Sequence, residues 1–144
     1  MLKNKVFLTQ TDTTIGFVSQ NAERLTEIKE RPPYKHYIKA VNSLGTLKSF
    51  VRIPAAHRNR VRRAAKTTFI LPNGHSYRVV RERHHLLLLN RLTWAYTTSA
   101  NLSGQPYDED FAKEAADVVI TPLYNKSEAS KIYRVNNHTL KRIR

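Results

Sequence analysis

Short apolar runs along this chain alternate with stretches of helical period, and polar or Gly/Pro clusters separate them. Val6 to Thr9 reads as a short strand ending in the polar run Gln10-Thr11-Asp12-Thr13-Thr14. Beyond Gly16, the residues Ala22, Leu25 and Ile28 stand at helical spacing, and Asn21 is placed to cap a helix that runs through Lys29. Arg31-Pro32-Pro33 stops it, because proline lacks an amide N–H and biases the residue before it away from helix. Tyr37 to Val41 predicts another strand, whereas Leu44 to Val51 fits either class. Ala55 to Lys66 is helical in pattern, and Thr67 to Leu71 reads as a buried strand closed by the turn Pro72-Asn73-Gly74. Ser76 to Val80 returns as its hairpin partner. Leu86 to Leu92 reads as an apolar helix or core segment. Next, Leu92, Trp94 and Tyr96 alternate with the smaller Thr93 and Ala95, a strand that should give way to a loop at Thr97. Asp108 to Ala116 is helical with Phe111, Ala112 and Ala115 inward, and Val118 to Ile120, Lys131 to Val135 and Leu140 to Arg144 read as the last strands. Helices and strands mix without strict alternation, which predicts an α/β fold with a twisted, mixed sheet.

Composition narrows the classes. A chain of 144 residues without repeats or a linker fits one compact domain, 1–144, and the absence of cysteine excludes disulfides and thiolate metal sites. The apolar run at the start is too short for a signal peptide and no segment approaches bilayer length, so a cytoplasmic protein with no membrane partner is expected. Charge changes the picture most: 25 Lys and Arg stand against 11 Asp and Glu, a formal net charge of +14. Such an excess favours polyanions, meaning nucleic acid or nucleotide phosphates, through salt-sensitive contacts. His57, Arg58, Arg60, Arg62, Arg63 and Lys66 fall around most of their helix, as a solvated face or a phosphate track would. His84 and His85 are adjacent, and with no third ligand at metal spacing they offer no zinc site.

The densest candidate chemistry is Thr97 to Gly104, Thr-Thr-Ser-Ala-Asn-Leu-Ser-Gly, with four hydroxyls and an amide. Read from residue types alone, it is either a hydrogen-bonded turn ahead of the helix near Asp108 or a set of donors for phosphate and carboxylate oxygens. Three further polar clusters stand at element ends: Thr11-Asp12-Thr13, Lys29 with Arg31, and Thr67-Thr68. In this order they resemble the YrdC-like family of threonylcarbamoyl-AMP synthases. Gln10-Thr11-Asp12-Thr13-Thr14-Ile15-Gly16-Phe17 resembles the family's Pro-Thr-Asp-Thr-Val-Tyr-Gly-Leu start, and Lys29-Glu30-Arg31-Pro32 its Lys-Gly-Arg-Pro. Ala64 to Thr68 is similar to its Pro-Gly-Pro-x-Thr strand, and Ser99 to Gly104 matches its Ser-Ala-Asn-x-Ser-Gly residue for residue. Ser130-Lys131-Ile132 resembles a late Ser-Thr-hydrophobic element, and Arg144 falls where the family carries an arginine near its terminus.

The resemblance implies a single domain whose twisted mixed sheet, with flanking helices, surrounds a basic concave cavity. It implies an activity: joining L-threonine, bicarbonate and ATP, with Mg²⁺ on the phosphates, into threonylcarbamoyl-AMP and pyrophosphate for the N6-threonylcarbamoyladenosine modification of tRNA. By this likeness Thr13, with Thr11 behind it, contacts threonine. Lys29 and Arg31 bind triphosphate, a point charge and a planar fork respectively. Thr68 faces nucleotide or threonine, and either Arg78 or Arg81 corresponds to the arginine of the family's Arg-Val-Pro. Thr97, Ser99 and Asn101 line the phosphate and carboxylate end, and Ser130 and Arg144 complete the nucleotide side. No catalytic acid or base stands out. The likeness also implies affinity for tRNA or double-stranded RNA and for partner proteins of the threonylcarbamoyl-transfer machinery. An alternative stays open. Ile15 replaces the family's tyrosine, Ala40 falls where some members place a histidine, and Lys35, His36 and Ala64-Ala65-Lys66 also depart from the pattern. Together with the charge excess, these departures suit an RNA-binding relative with weak or lost synthase activity.

Overall fold

The computed structural model describes residues 2–124 and 129–144. Among these, nine strands form one sheet in the order β7-β1-β2-β6-β3-β5-β4-β8-β9. They are β1 (Phe7–Gln10), β2 (Ile15–Ser19), β3 (Ile38–Val41), β4 (Thr67–Ile70), β5 (Ser76–Val79), β6 (Trp94–Ser99), β7 (Val118–Val119), β8 (Lys131–Val135) and β9 (Leu140–Arg142). Five helices flank the sheet: α1 (Ala22–Lys29), α2 (Leu44–Lys48), α3 (Arg58–Arg63), α4 (Arg83–Leu92) and α5 (Glu109–Ala115). Three pairings are parallel, β1–β7, β3–β5 and β4–β8, and the other five are antiparallel, so the sheet is mixed as expected. No helix among the described residues is long and apolar enough to cross a membrane.

Period-two alternation assigns each strand residue to a face. On one face, Phe7, Val18, Ala40, Val80 and Ala95 pack under α4 through Leu88, Leu89 and Leu92. The opposite face carries two separate cores. Leu8, Ile15 and Phe17 meet Leu25 of α1 and Ala112 of α5, while Val41, Phe69, Tyr77 and Val79 meet Leu47 of α2 and Val61 of α3. Caps fix where helices begin: the Asn21 side chain accepts from Arg24 N, and the Glu82 carboxylate accepts from the amides of His84 and His85.

Several boundaries differ from the sequence pattern, for physical reasons. Ile15–Ser19 is a full strand, although its residues suggested none; all five are buried, so no polar alternation marks it. It is joined to β1 by a tight turn in which Thr11 N donates to Thr14 O (2.9 Å) and the Thr11 hydroxyl accepts from Thr13 N and Thr14 N. The last strand of the polar run does not stop at Thr97: β6 continues through Ser99, because Thr98 and Ser99 pair with Phe17 and Gly16. The basic stretch Ala55–Lys66 is a 3-10 turn at Ala55–His57 and a short helix ending at Arg63, with Lys66 in the left-handed region at φ 53°. Leu44–Lys48 is helical, capped by Ser43, and α4 starts three residues ahead of Leu86.

Gly16, on β2, stands against the backbone of β6 with no room for a side chain. A Cβ there would stand 2.9 Å from the Thr98 carbonyl oxygen and 3.1 Å from Thr11 Cγ2. The first neighbour is backbone and cannot yield cheaply. Gly16→Ala is therefore expected to destabilise by about 1–3 kcal/mol, the usual cost of overpacking, read as a lower urea midpoint at unchanged slope.

Candidate functional site

α4 covers only one end of its sheet face. Two residues further along β6 and the β5 line, the same face turns from apolar to polar, Val80 giving way to Arg78 and Ala95 to Thr97 and then Ser99, while β3 contributes Ile38. The uncovered end is a cavity of about 440 Å³. Its hydroxyls include those of Thr11, Thr13, Thr97, Ser99 and Ser130, and its arginines are Arg31, Arg78 and Arg144.

Arg78 is the centre of this arrangement. It is 4% exposed, and its Nη1 donates to Asp12 Oδ1 at 3.1 Å and to Thr13 Oγ1 at 3.2 Å. Its Nε and Nη2 reach Thr68 Oγ1 at 3.2 and 3.0 Å. Thr68 in turn shares a hydrogen bond with Ser130 Oγ (3.1 Å), to which Arg144 Nη2 donates at 3.3 Å. A continuous polar network thus joins the β1–β2 turn, β5, β4 and the segments around Ser130 and Arg144. Burial by itself would raise the Asp12 pKa, but His85 and the Arg78 guanidinium outweigh it and hold the carboxyl below its usual range. His85 is fully buried on α4, with Nδ1 3.8 Å from Asp12 Oδ1. Asp12 is therefore a sequestered counter-ion and not a base open to the cavity.

The Ser-Ala-Asn segment is held from behind. Lys29, buried at the end of α1, donates from Nζ to the carbonyls of Ser99 (2.7 Å) and Asn101 (2.8 Å) and to Asn101 Oδ1 (3.4 Å). The Ser99 hydroxyl donates to Asn101 Oδ1 at 2.5 Å, and Asn101 Nδ2 closes the loop onto the carbonyls of Leu102 and Gln105. Desolvation, with a smaller push from Arg31, lowers the Lys29 pKa to about 8. Arg31 lies over the Tyr37 ring at 4.6 Å and donates from Nη2 to His36 O, while its buried Nε has no acceptor among the described residues.

The structure therefore brings Thr11, Thr13, Arg31, Arg78, Thr97, Ser99, Ser130 and Arg144 to one cavity, with Thr68 in its floor. Lys29 and Asn101 stand one layer behind, engaged with backbone. Arg81 does not reach the cavity: it is exposed and donates to the Arg63 carbonyl at 2.5 Å. Of the two candidate arginines, only Arg78 points inward. His36, Ile38 and Thr14 also line the cavity, and Asp12 and His85 were not anticipated as its support. A signal for His85 was available. With Leu88, Leu89 and Leu92 it stands at i, i+3, i+4 and i+7, the buried stripe of a helix that starts at Arg83.

A family model described as Sua5/yciO/yrdC, telomere recombination, matches residues 1–144. The "Uncharacterized protein MG259 homolog" of Mycoplasma pneumoniae is 28% identical over 157 residues, covering 97% of this chain and 32% of that protein. Among solved structures, P. abyssi Sua5 complexed with L-threonine superposes with a TM-score of 0.79 at 19% identity, over 97% of this chain and 50% of that one. E. coli YciO superposes with a TM-score of 0.76 at 19% identity, over 99% of this chain and 83% of that one. This chain spans about a third of the length of the Mycoplasma relative and half that of the Sua5 chain.

The buried Lys29 makes a pH-dependent contribution to stability. The native ammonium titrates near 8 and the unfolded one near 10.5, so between those values the unfolded state binds the extra proton and native stability gains as pH rises. Urea midpoints taken across this window should rise in the parent relative to Lys29→Met; parallel curves would remove Lys29 as the source.

Proposed function

The chain belongs to the Sua5/YciO/YrdC family, and from that premise we propose that its cavity synthesises threonylcarbamoyl-AMP from L-threonine, bicarbonate and ATP. The observation that carries this reading is the convergence of Arg31, Arg78 and Arg144 with a set of threonine and serine hydroxyls on one cavity, behind which Asp12 is already paired with Arg78. A volume of about 440 Å³ lies within the range of nucleotide-sized sites. A neighbouring fold, P. abyssi Sua5, is complexed with L-threonine.

The chemistry asks little covalent help of the protein. The threonine amine adds to the carbon of bicarbonate and water leaves, giving a carbamate. A carbamate oxygen then forms a bond to the α-phosphorus, the α–β phosphoanhydride bond breaks, and pyrophosphate departs with the electron pair. Charge accumulates on phosphate oxygens throughout, so aligned cations and hydroxyl donors lower the barrier by positioning and charge cancellation. In this reading Arg31, Arg78 and Arg144 take the triphosphate, the guanidinium forks matching its oxygens. Thr11, Thr13 and Thr97 hold the amino acid, and Ser99 and Ser130 orient the reacting phosphate. Lys29 acts from behind, fixing the Ser99–Asn101 backbone so that its donors face inward. Mg²⁺ would travel on the nucleotide phosphates and water, as a hard cation does; among the described residues no group of three or more His, Cys, Asp or Glu could hold a metal. The product would serve tRNA modification.

Pyrophosphate release by the purified protein with ATP, Mg²⁺ and bicarbonate tests the reading. Release should require L-threonine, and Arg31→Ala and Arg144→Ala should each lower kcat/KM by about tenfold or more, the loss of one charge-assisted contact of about 1.5–3 kcal/mol. ATP binding without threonine-dependent release would overturn the synthase assignment.

A further inference from the structure

The sheet face opposite the hydroxyl cavity carries a second concavity, of about 420 Å³, over β6, β3 and β5. Strand register builds it. Lys39 pairs with Tyr96 on one side and Tyr77 on the other, so the three side chains stand in a row across the strands. Trp94 follows on the same face of β6, and Phe50, just past α2, leans over it. The Trp94 ring stands edge-on to Phe50 and Tyr96, with centroids 5.7 and 5.2 Å away. The Lys39 ammonium lies 4.2 Å above Phe50 and 4.6 Å above Trp94. α1 borders it through Ala22 and Thr26. α1 and α5 sit over one core of this face, α2 and α3 over the other, and the aromatic row lies in the seam between them.

The lining identifies what would fill it. Lys35, His36, Lys39 and His75 line the concavity, and among the described residues neither Asp nor Glu does. A cationic ligand is therefore disfavoured. A bare phosphate would leave the rings unused, and an acidic peptide would meet the lysines while offering the rings little. A base with its phosphate uses both, since flat apolar faces interleaved with cations are how unstacked nucleotides are held. A duplex keeps its base faces stacked on one another and cannot present them. Asn73 and Ser76 on the lining supply neutral polar groups suited to 2′-hydroxyls. His36 also lines the hydroxyl cavity, so the two concavities meet there.

We propose that this Lys39-centred aromatic strip is a binding site for single-stranded RNA, with a base stacked on the Phe50–Trp94 edge and adjoining phosphates held by Lys35, Lys39 and His75. The site occupies the other sheet face and does not depend on the synthase assignment.

Trp94 is the sole tryptophan of the chain, so intrinsic fluorescence reports on the strip directly. The intact protein is titrated at low salt with an oligouridylate of about ten nucleotides, with oligo(dT) and duplex RNA of the same length, with UMP and with a polyglutamate peptide. Oligouridylate should change Trp94 emission saturably and bind more tightly than the others, with affinity falling as salt is added. Phe50→Ala and Lys39→Met should each weaken it about tenfold or more, and Lys113→Ala on α5, which removes one cation elsewhere, should leave it unchanged. Phe50 is 39% exposed, so its truncation spares the core, and circular dichroism checks the fold of each variant. Equal or tighter binding of duplex, oligo(dT), UMP or polyglutamate would overturn the proposal. So would oligouridylate binding that leaves Trp94 emission unchanged or that survives Phe50→Ala.

Discussion

Arg78 sets a nearly buried guanidinium into the middle of the sheet, and the site follows from how its donors are answered. One carboxylate and two threonine hydroxyls take its donors. Each answer constrains another element. Asp12 reaches Arg78 only because the Thr11 hydroxyl folds the β1–β2 turn back on itself. Thr68 reaches it because β4 and β5 pair antiparallel, with Phe69 opposite Tyr77. His85 stands behind Asp12 because α4 packs on the same face. Removing one partner of a buried pair leaves an uncompensated charge, typically costing about 3–5 kcal/mol. These positions are therefore coupled, and the network's rigidity pre-positions the cavity's cations.

Strand alternation lets the same three strands carry two unlike surfaces. On β6, Ala95 faces α4 and Thr97 and Ser99 face the hydroxyl cavity, while Trp94 and Tyr96 face the opposite side; on β3, Ile38 and Ala40 oppose Lys39 and Val41. A one-residue slip would exchange the two sets and bury lysine under α4. Gly16 guards against that slip, since the close pass of the Thr98 carbonyl admits no side chain there. Register is thus specified by hydroxyl contacts and close backbone approach as much as by apolar burial.

What the residues revealed beforehand tracks how local the cause was. The Asn21 cap, the Pro32-Pro33 stop and the Pro72-Asn73-Gly74 turn are set by a few neighbouring residues, and α1 and the β4–β5 hairpin stood where those signals placed them. Gly74 takes φ 84°, which its lack of a side chain makes cheap. The β2 strand was invisible because burial on both faces erases alternation, and β6 was cut short because Thr98 and Ser99 look like loop residues until Phe17 and Gly16 pair with them. The site divides the same way. The order of polar clusters was legible, and it brought Thr11, Thr13, Arg31, Thr97, Ser99, Ser130 and Arg144 to one cavity. Choosing Arg78 over Arg81 required tertiary contacts. Lys29 at a helix end has the look of a solvated cation, yet it is 4% exposed, its charge spent on two distant carbonyls.

The charge excess acts on a different scale from these contacts. Among the described residues the cavity sets three arginines against one sequestered carboxylate, while most of the +14 lies elsewhere, much of it on exposed residues such as Arg58, Arg60, Arg62 and Arg63. Exposed charges more than a Debye length apart, roughly 8–10 Å at ordinary ionic strength, add little to any single contact. Their summed field draws anions toward the surface without choosing among them. Selection must then come from short-range geometry, and the two concavities differ there: one presents hydroxyls and guanidinium forks, the other ring faces around the Lys39 ammonium. A basic surface of this kind can serve two anionic ligands at once, because attraction is shared across the molecule while recognition is confined to each face of the sheet.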